Sequence, residues 1–170
     1  MRIHALLLAL ALVLCSCSQQ RAQVAVQSSL TAAAHVVAAV DQELASRIPP
    51  MVEEIAHEVR RERLESPVEM PPEHWLSVLV VRLEPLAQVT RALRVIKEAL
   101  LTAQGALTAW IEGGELPEEW GPFCDGVGDA ASHLLEALDA AGVDGIPEQV
   151  RTVVGMLDEA CAVAGPYFSR

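Results

Sequence analysis

Five leucines spaced seven residues apart, Leu79, Leu86, Leu93, Leu100 and Leu107, constrain the fold of this chain more than any other feature. A period of seven keeps one narrow stripe of a helix apolar. Leu76 and Leu83 widen the stripe ahead of Pro85, and Val89, Ile96, Ala103 and Trp110 flank it afterwards. The pattern predicts one long helix that opens at Pro72, where proline suits the first helical position. It closes at Gly113-Gly114. Pro85 is expected to kink it where the stripe shifts. The repeat also suits a dimeric seam, so a homo-oligomer joined through Leu79–Leu107 is one expectation. Thr90, Lys97 and Gln104 occupy the other core position and favour packing inside the chain's own bundle.

The rest of the chain reads the same way. Val26, Leu30, Ala33, Val37, Val40 and Leu44 alternate spacings of four and three, which places a helix from Ser28 or Ser29 to Arg47 with either serine as its cap. Pro49-Pro50 is expected to break that helix, because proline removes a donor and crowds the preceding turn. It resumes with Met51, Val52, Ile55, Val59 and Leu64 on one side. The other side mixes Glu53, Glu54, Glu58 and Glu62 with Arg60, Arg61 and Arg63. SPVEMPP, residues 66–72, is a loop. Glu115–Asp125 reads as a connector rich in proline and acid, with Asp125 capping a third helix over about 126–141. A fourth helix starts at Pro147 and stops at Gly165-Pro166. No strand-like alternation and no internal repeat is present. The fold expected is all-α: four main helices, the first broken at Pro49-Pro50, ending in an antiparallel helical hairpin. The apolar residues are mostly Ala, Val and Leu, and only 4% of the chain is aromatic, which suits slim helix interfaces.

The N-terminus has a different organisation. Arg2 precedes ten uninterrupted apolar residues, Ala5–Leu14, and small residues follow. That is the layout of a secretory signal, and it is shorter than the roughly 20 apolar residues that span a bilayer. Leu14-Cys15-Ser16-Cys17 resembles the lipobox of bacterial lipoproteins, with a branched apolar residue three positions before a cysteine and a small residue just before it. Cys15 fits less well, since bulky Leu14 would occupy the cleavage point. The resemblance implies a signal peptide at 1–16, a lipid on Cys17 and a polar tether over 17–25, followed by a single helical domain at 26–170. It also implies export, with the membrane as a partner through the lipid. Ser18 stands where inner-membrane lipoproteins often carry Asp, which favours the periplasmic side of the outer membrane.

Cys124 and Cys161 are equidistant from the Gly142–Gly145 turn, their midpoint falling between residues 142 and 143. In an antiparallel hairpin such residues share one height. Both also fall on apolar sides, Cys124 three before Val127 and Cys161 four after Leu157. In an oxidising compartment they are expected to form a disulfide.

Reactive chemistry is harder to find. The formal charge is −11, and residues 112–170 hold 12 acidic side chains against 2 basic ones. Nucleic acid is not expected as a partner, because phosphate binding rests on clustered Lys and Arg. His57-Glu58 opens a zinc-protease-like motif, but Arg61 takes the place of the second histidine. Glu54-x-x-His57 has di-iron spacing without the second such pair that those sites need. His35, His74 and His133 are isolated and read as satisfied or half-buried. Acidic turns at 125–129 and 139–144 lack the ligand pattern of a calcium loop. No metal, no cofactor and no enzymatic activity is expected. Trp120 and Phe123 are either anchors for a partner or a plug at one end of the bundle. The functional expectation is a lipid-anchored interaction or structural module that contacts another envelope protein, through those aromatics or the charged face at Glu53–Arg63. The alternative is a carrier of a small apolar ligand in the bundle core.

Overall fold

A computed structural model of the chain describes residues 2–113 and 115–167, and for residues 2–17 it gives the backbone element alone. Four helices follow in order: α1 (Arg2–Glu65), α2 (Pro72–Gly113), α3 (Trp120–Ala140) and α4 (Pro147–Ala164). A short 3-10 turn (Gly165–Tyr167) comes last. Short connections make neighbours antiparallel, so the chain runs up, down, up, down. α1 packs on α2 and α4, and α3 packs on α2 and α4. Among the described residues the diagonal pairs make no close backbone approach, so the four helices form a square.

The core is built from the stripes in the sequence. Val26, Leu30, Ala33, Val37, Val40 and Leu44 of α1 are buried, and so are Leu86, Leu93, Leu100 and Leu107 of α2. α3 contributes Val127, Ala131, Leu134 and Leu138, and α4 contributes Val150, Val153 and Leu157. Because the four lower leucines of the seven-residue repeat face inward, they leave no seam for a second chain along that length. Ala33, Ala103, Ala131 and Ala160 let the helices approach closely, and the cavity left at the centre measures only about 10 Å3. That is close to the minimum that holds one water, and its lining is wholly apolar.

Three boundaries differ from the sequence reading. First, α1 is not broken: it continues through Pro49 and Pro50, and α2 likewise continues through Pro85. The prolines deprive the carbonyls of Ala45, Ser46 and Val81 of their donors. All three residues are exposed, so water can take those bonds and the helices need not end. Second, Ser18–Gln23 belongs to α1 and is no tether, and Ser28 and Ser29 lie inside the helix and do not cap it. Ala22 joins the core, and Gln23 Nε2 donates to the Trp110 carbonyl at 3.1 Å. Third, α3 begins at Trp120, six residues earlier than the reading, which puts Asp125 inside the helix. Pro122 sits in the first turn, where its missing N–H is not needed. The apolar stripe already runs through Trp120, Phe123 and Val127.

Helix length divides the molecule. The α3–α4 turn holds Gly142 and Gly145 at positive φ, a conformation that glycine adopts without strain. It is fastened beside α1 by Arg47, whose Nη1 donates to the Asp144 carbonyl at 2.7 Å and whose guanidinium pairs with Glu43. Val143 and Ile146 seal the core at this height. Above it α1 and α2 continue alone as a two-helix extension, residues 49–85. Arg82 crosses between its arms to Glu62 at 2.8 Å and to Glu58 at 3.8 Å.

Leu93→Ala removes a buried side chain and is expected to lower the unfolding free energy by about 2–5 kcal/mol. Leu76→Ala, on the extension, should change it by less than about 0.5 kcal/mol. Urea unfolding followed by circular dichroism measures both, and equal effects would contradict this division of the molecule.

Candidate functional site

Trp110, Trp120, Phe123 and Tyr167 gather at the end of the bundle opposite the extension. Trp110 and Trp120 are fully buried and Phe123 nearly so. Ring centroids lie 5.3 Å apart for Trp120 and Phe123, and 5.3 Å apart for Trp110 and Tyr167. The cluster plugs the bundle beside Gln23, so Trp120 and Phe123 are not available as partner anchors. Burial decides between the two roles the sequence left open: rings at spacing i, i+3 on an amphipathic helix turn inward when the stripe continues beyond them. The Trp120 indole nitrogen has no acceptor among the described residues.

Cys124 and Cys161 are joined, with Cα atoms 5.8 Å apart. The bond lies at the open end of the α3–α4 hairpin, away from the glycine turn, next to the aromatic plug. It closes a loop of 37 residues. Loop-closure entropy assigns such a link up to about 4 kcal/mol. It staples the only two helices that are too short to extend beyond the bundle.

The described histidine side chains are all at the surface. His35, His57, His74 and His133 are exposed, more than the sequence implied for His35 and His133. His74 meets Trp75 edge-on at 5.2 Å. Glu54 and His57 share the outward face of α1. Among the described residues no three His, Cys, Asp or Glu side chains group as metal ligands would. Hydrogen bonds from Arg91 and then Gln88 hold the Glu84 carboxyl below its usual range, on the open surface. Cys17 lies outside the residues whose side chains are described.

The distinctive surface is the extension itself. Among the described residues, six of the ten exposed large apolar side chains lie between Leu64 and Val81. Leu64 is 81% exposed, and Leu76, Val80 and Val81 are 62%, 63% and 69% exposed. Below the α3–α4 turn, α2 is flanked by α1 and α3, which cover its Leu86–Leu107 stripe and leave Val95, Leu101 and Ile111 exposed singly. Above it only α1 remains, while WLSVLVVRL, residues 75–83, stays apolar on nearly every side. A helix apolar all round is normally enclosed. The sequence carried a signal for this surface: the stripe ahead of Pro85 is wider than one neighbour can cover. The arms also carry charge, with Glu53, Glu54, Arg60, Arg61 and Arg63 exposed on α1.

The other openings are shallow. A groove of about 260 Å3 runs between α1 and α2, lined by Ala34, Ala38, Leu101 and the ion pair Asp41–Lys97, which spans it at 2.7 Å. One helical stretch within Ser18–Glu65 is long and apolar enough to cross a membrane by length and composition. Its Val26–Leu44 stripe packs in the bundle core, which accounts for that composition.

Replacing Cys124 and Cys161 together by Ser is expected to cost about 2–4 kcal/mol of stability, read by thermal or urea unfolding. No loss would mean that the staple is not formed in the folded protein. Comparison of the chain with family models, with curated proteins and with solved structures finds no match.

Proposed function

We propose that this chain is a lipid-anchored envelope protein, without enzymatic activity, that presents a two-helix arm to a protein partner some distance from its membrane. The observation that carries this reading is the placement of two ends on one helix. α1 carries the segment that resembles a lipobox in its N-terminal part, and its far end, Glu65, forms the tip of the extension where exposed apolar residues concentrate. At 1.5 Å of rise per residue, Ser18 and Glu65 stand about 70 Å apart along the helix. A lipid on Cys17 would therefore hold the aromatic-plugged end near the membrane and point the arm away from it. The disulfide supports export, since such bonds persist in oxidising compartments.

An interaction module is favoured over a carrier of apolar ligands by the packing of the core. A cavity of about 10 Å3 offers no room for a ligand, whereas ligand pockets usually measure hundreds of Å3. The exposed apolar surface lies outside the bundle instead, where a macromolecular partner can reach it. Outer-membrane retention follows from Ser18 as the resemblance implies it.

Radiolabelled palmitate is expected to enter the wild-type protein in a bacterial host and to be absent from Cys17→Ser. Equal labelling of both would overturn the anchor assignment. Fractionation should place the labelled form in the outer membrane, and recovery in the inner membrane would correct that part of the reading.

A further inference from the structure

One face of the α1 arm carries a pattern that the fold itself does not use. Pro50, Glu53, Glu54, His57, Arg60, Arg61 and Leu64 follow at spacings of three, one, three, three, one and three. At 100° per residue these seven positions line one side of the helix, opposite Val52, Ile55 and Val59, the side turned towards α2. All seven are exposed. Among the described residues, Glu53, Glu54, Arg60 and Arg61 enter none of the ion pairs. For the acids, spacing explains why: the positions four residues after Glu53 and Glu54 hold His57 and Glu58, so neither has an arginine or lysine in the favourable i, i+4 geometry. The two charge signs stand in separate blocks, acids towards the bundle and bases towards the tip.

We propose that this face is a self-association surface, on which two copies of the chain pack their α1 arms antiparallel about a two-fold axis at His57. In that register Glu53 of one copy meets Arg61 of the other, Glu54 meets Arg60, and Leu64 meets Pro50. Two-fold symmetry makes each pair twice, giving four ion pairs. Parallel packing would instead set Glu53 against Glu53 and Arg60 against Arg60, so charge selects the antiparallel arrangement.

Length supports the same register independently. The arm that rises above the α3–α4 turn runs from Pro49 to Glu65, and His57 is its middle residue. Two arms crossed at His57 therefore overlap over their full length, with each tip at the other copy's shoulder. There the exposed Val68 and Met70 of the tip loop can leave water. The region with only two helices per chain then has four. Ion pairs at an exposed seam set register more than affinity, so the pair is expected to be reversible.

The arrangement places the two Ser18 ends about 120 Å apart, on opposite sides of the seam. On the anchored reading given above, such a pair joins chains rooted in facing surfaces and cannot form between neighbours in one membrane.

The test is sedimentation of the purified full chain in mild detergent over a wide concentration range, which reads pairing whether or not the protein carries lipid. The wild type should show reversible dimerisation. Glu53→Arg with Glu54→Arg, and separately Arg60→Glu with Arg61→Glu, should each weaken it by about tenfold or more, because every seam contact becomes repulsive. Mixing the two variants should restore dimers, and so should all four substitutions in one chain, where acids and bases exchange places. Recovery in these arms also shows that the variants are folded. A monomeric wild type, dimers indifferent to both double variants, or a mixture that stays monomeric would each overturn the proposal. Failed palmitate labelling would leave it standing.

Discussion

Burial of one stripe on α1 organises this molecule. Val26, Leu30, Ala33, Val37, Val40 and Leu44 face two neighbours at once, α2 on one side and α4 on the other. Each of these side chains would cost on the order of 1–3 kcal/mol to leave in water, so the stripe decides where α2 and α4 can lie. α3 then closes the square against α2 and α4. Small side chains at the contact points keep the helices close, which explains a core with so few aromatics and so little empty space. The buried aromatics Trp110, Trp120 and Phe123 stand at one end, where a bundle of slim helices would otherwise open to water.

Unequal helix length is the second determinant. α3 and α4 together form a hairpin that reaches from the aromatic plug to Arg47 and no further. α1 and α2 outrun it, and everything above the glycine turn has half the neighbours that its sequence is composed for. Core chemistry and surface chemistry therefore meet at one height, marked by Pro49, Pro50 and Pro85. The prolines do not end the helices, because the carbonyls they orphan point to water. Both arms carry them at the transition, and each leaves a helix lacking one or two of its internal bonds at the place where lateral support is lost.

Forces holding the two regions differ in kind. The bundle rests on buried apolar area and a disulfide, neither of which responds strongly to salt. The extension rests on burial of Val59, partial burial of Ile55 and half-exposed ion pairs such as Arg82 with Glu62, which are individually weak. The arm is thus the less stable part of the molecule, with apolar surface still to cover and charges still to pair. A surface in that state gains free energy by meeting a partner, and its own mirror-like order of charges is the partner chemistry visible on it.

Periodicity alone determined much of this. The stripes of four helices, the inward-facing leucines from Leu86 to Leu107, the Pro72 and Pro147 starts and the pairing of Cys124 with Cys161 all follow from residue spacing, because helical geometry converts spacing into faces and heights. Tertiary structure alone decided the rest. Whether Trp120 faces a partner or the core, whether Pro49-Pro50 ends a helix, and which half of the leucine repeat is covered all depend on what stands beside each turn. Those neighbours come from distant parts of the chain. The helices run through their prolines because the orphaned carbonyls belong to exposed residues, Ala45, Ser46 and Val81, and Leu76 is exposed while Leu93 is buried because α3 and α4 stop between their heights. A one-dimensional pattern specifies a face, but not how many neighbours reach it.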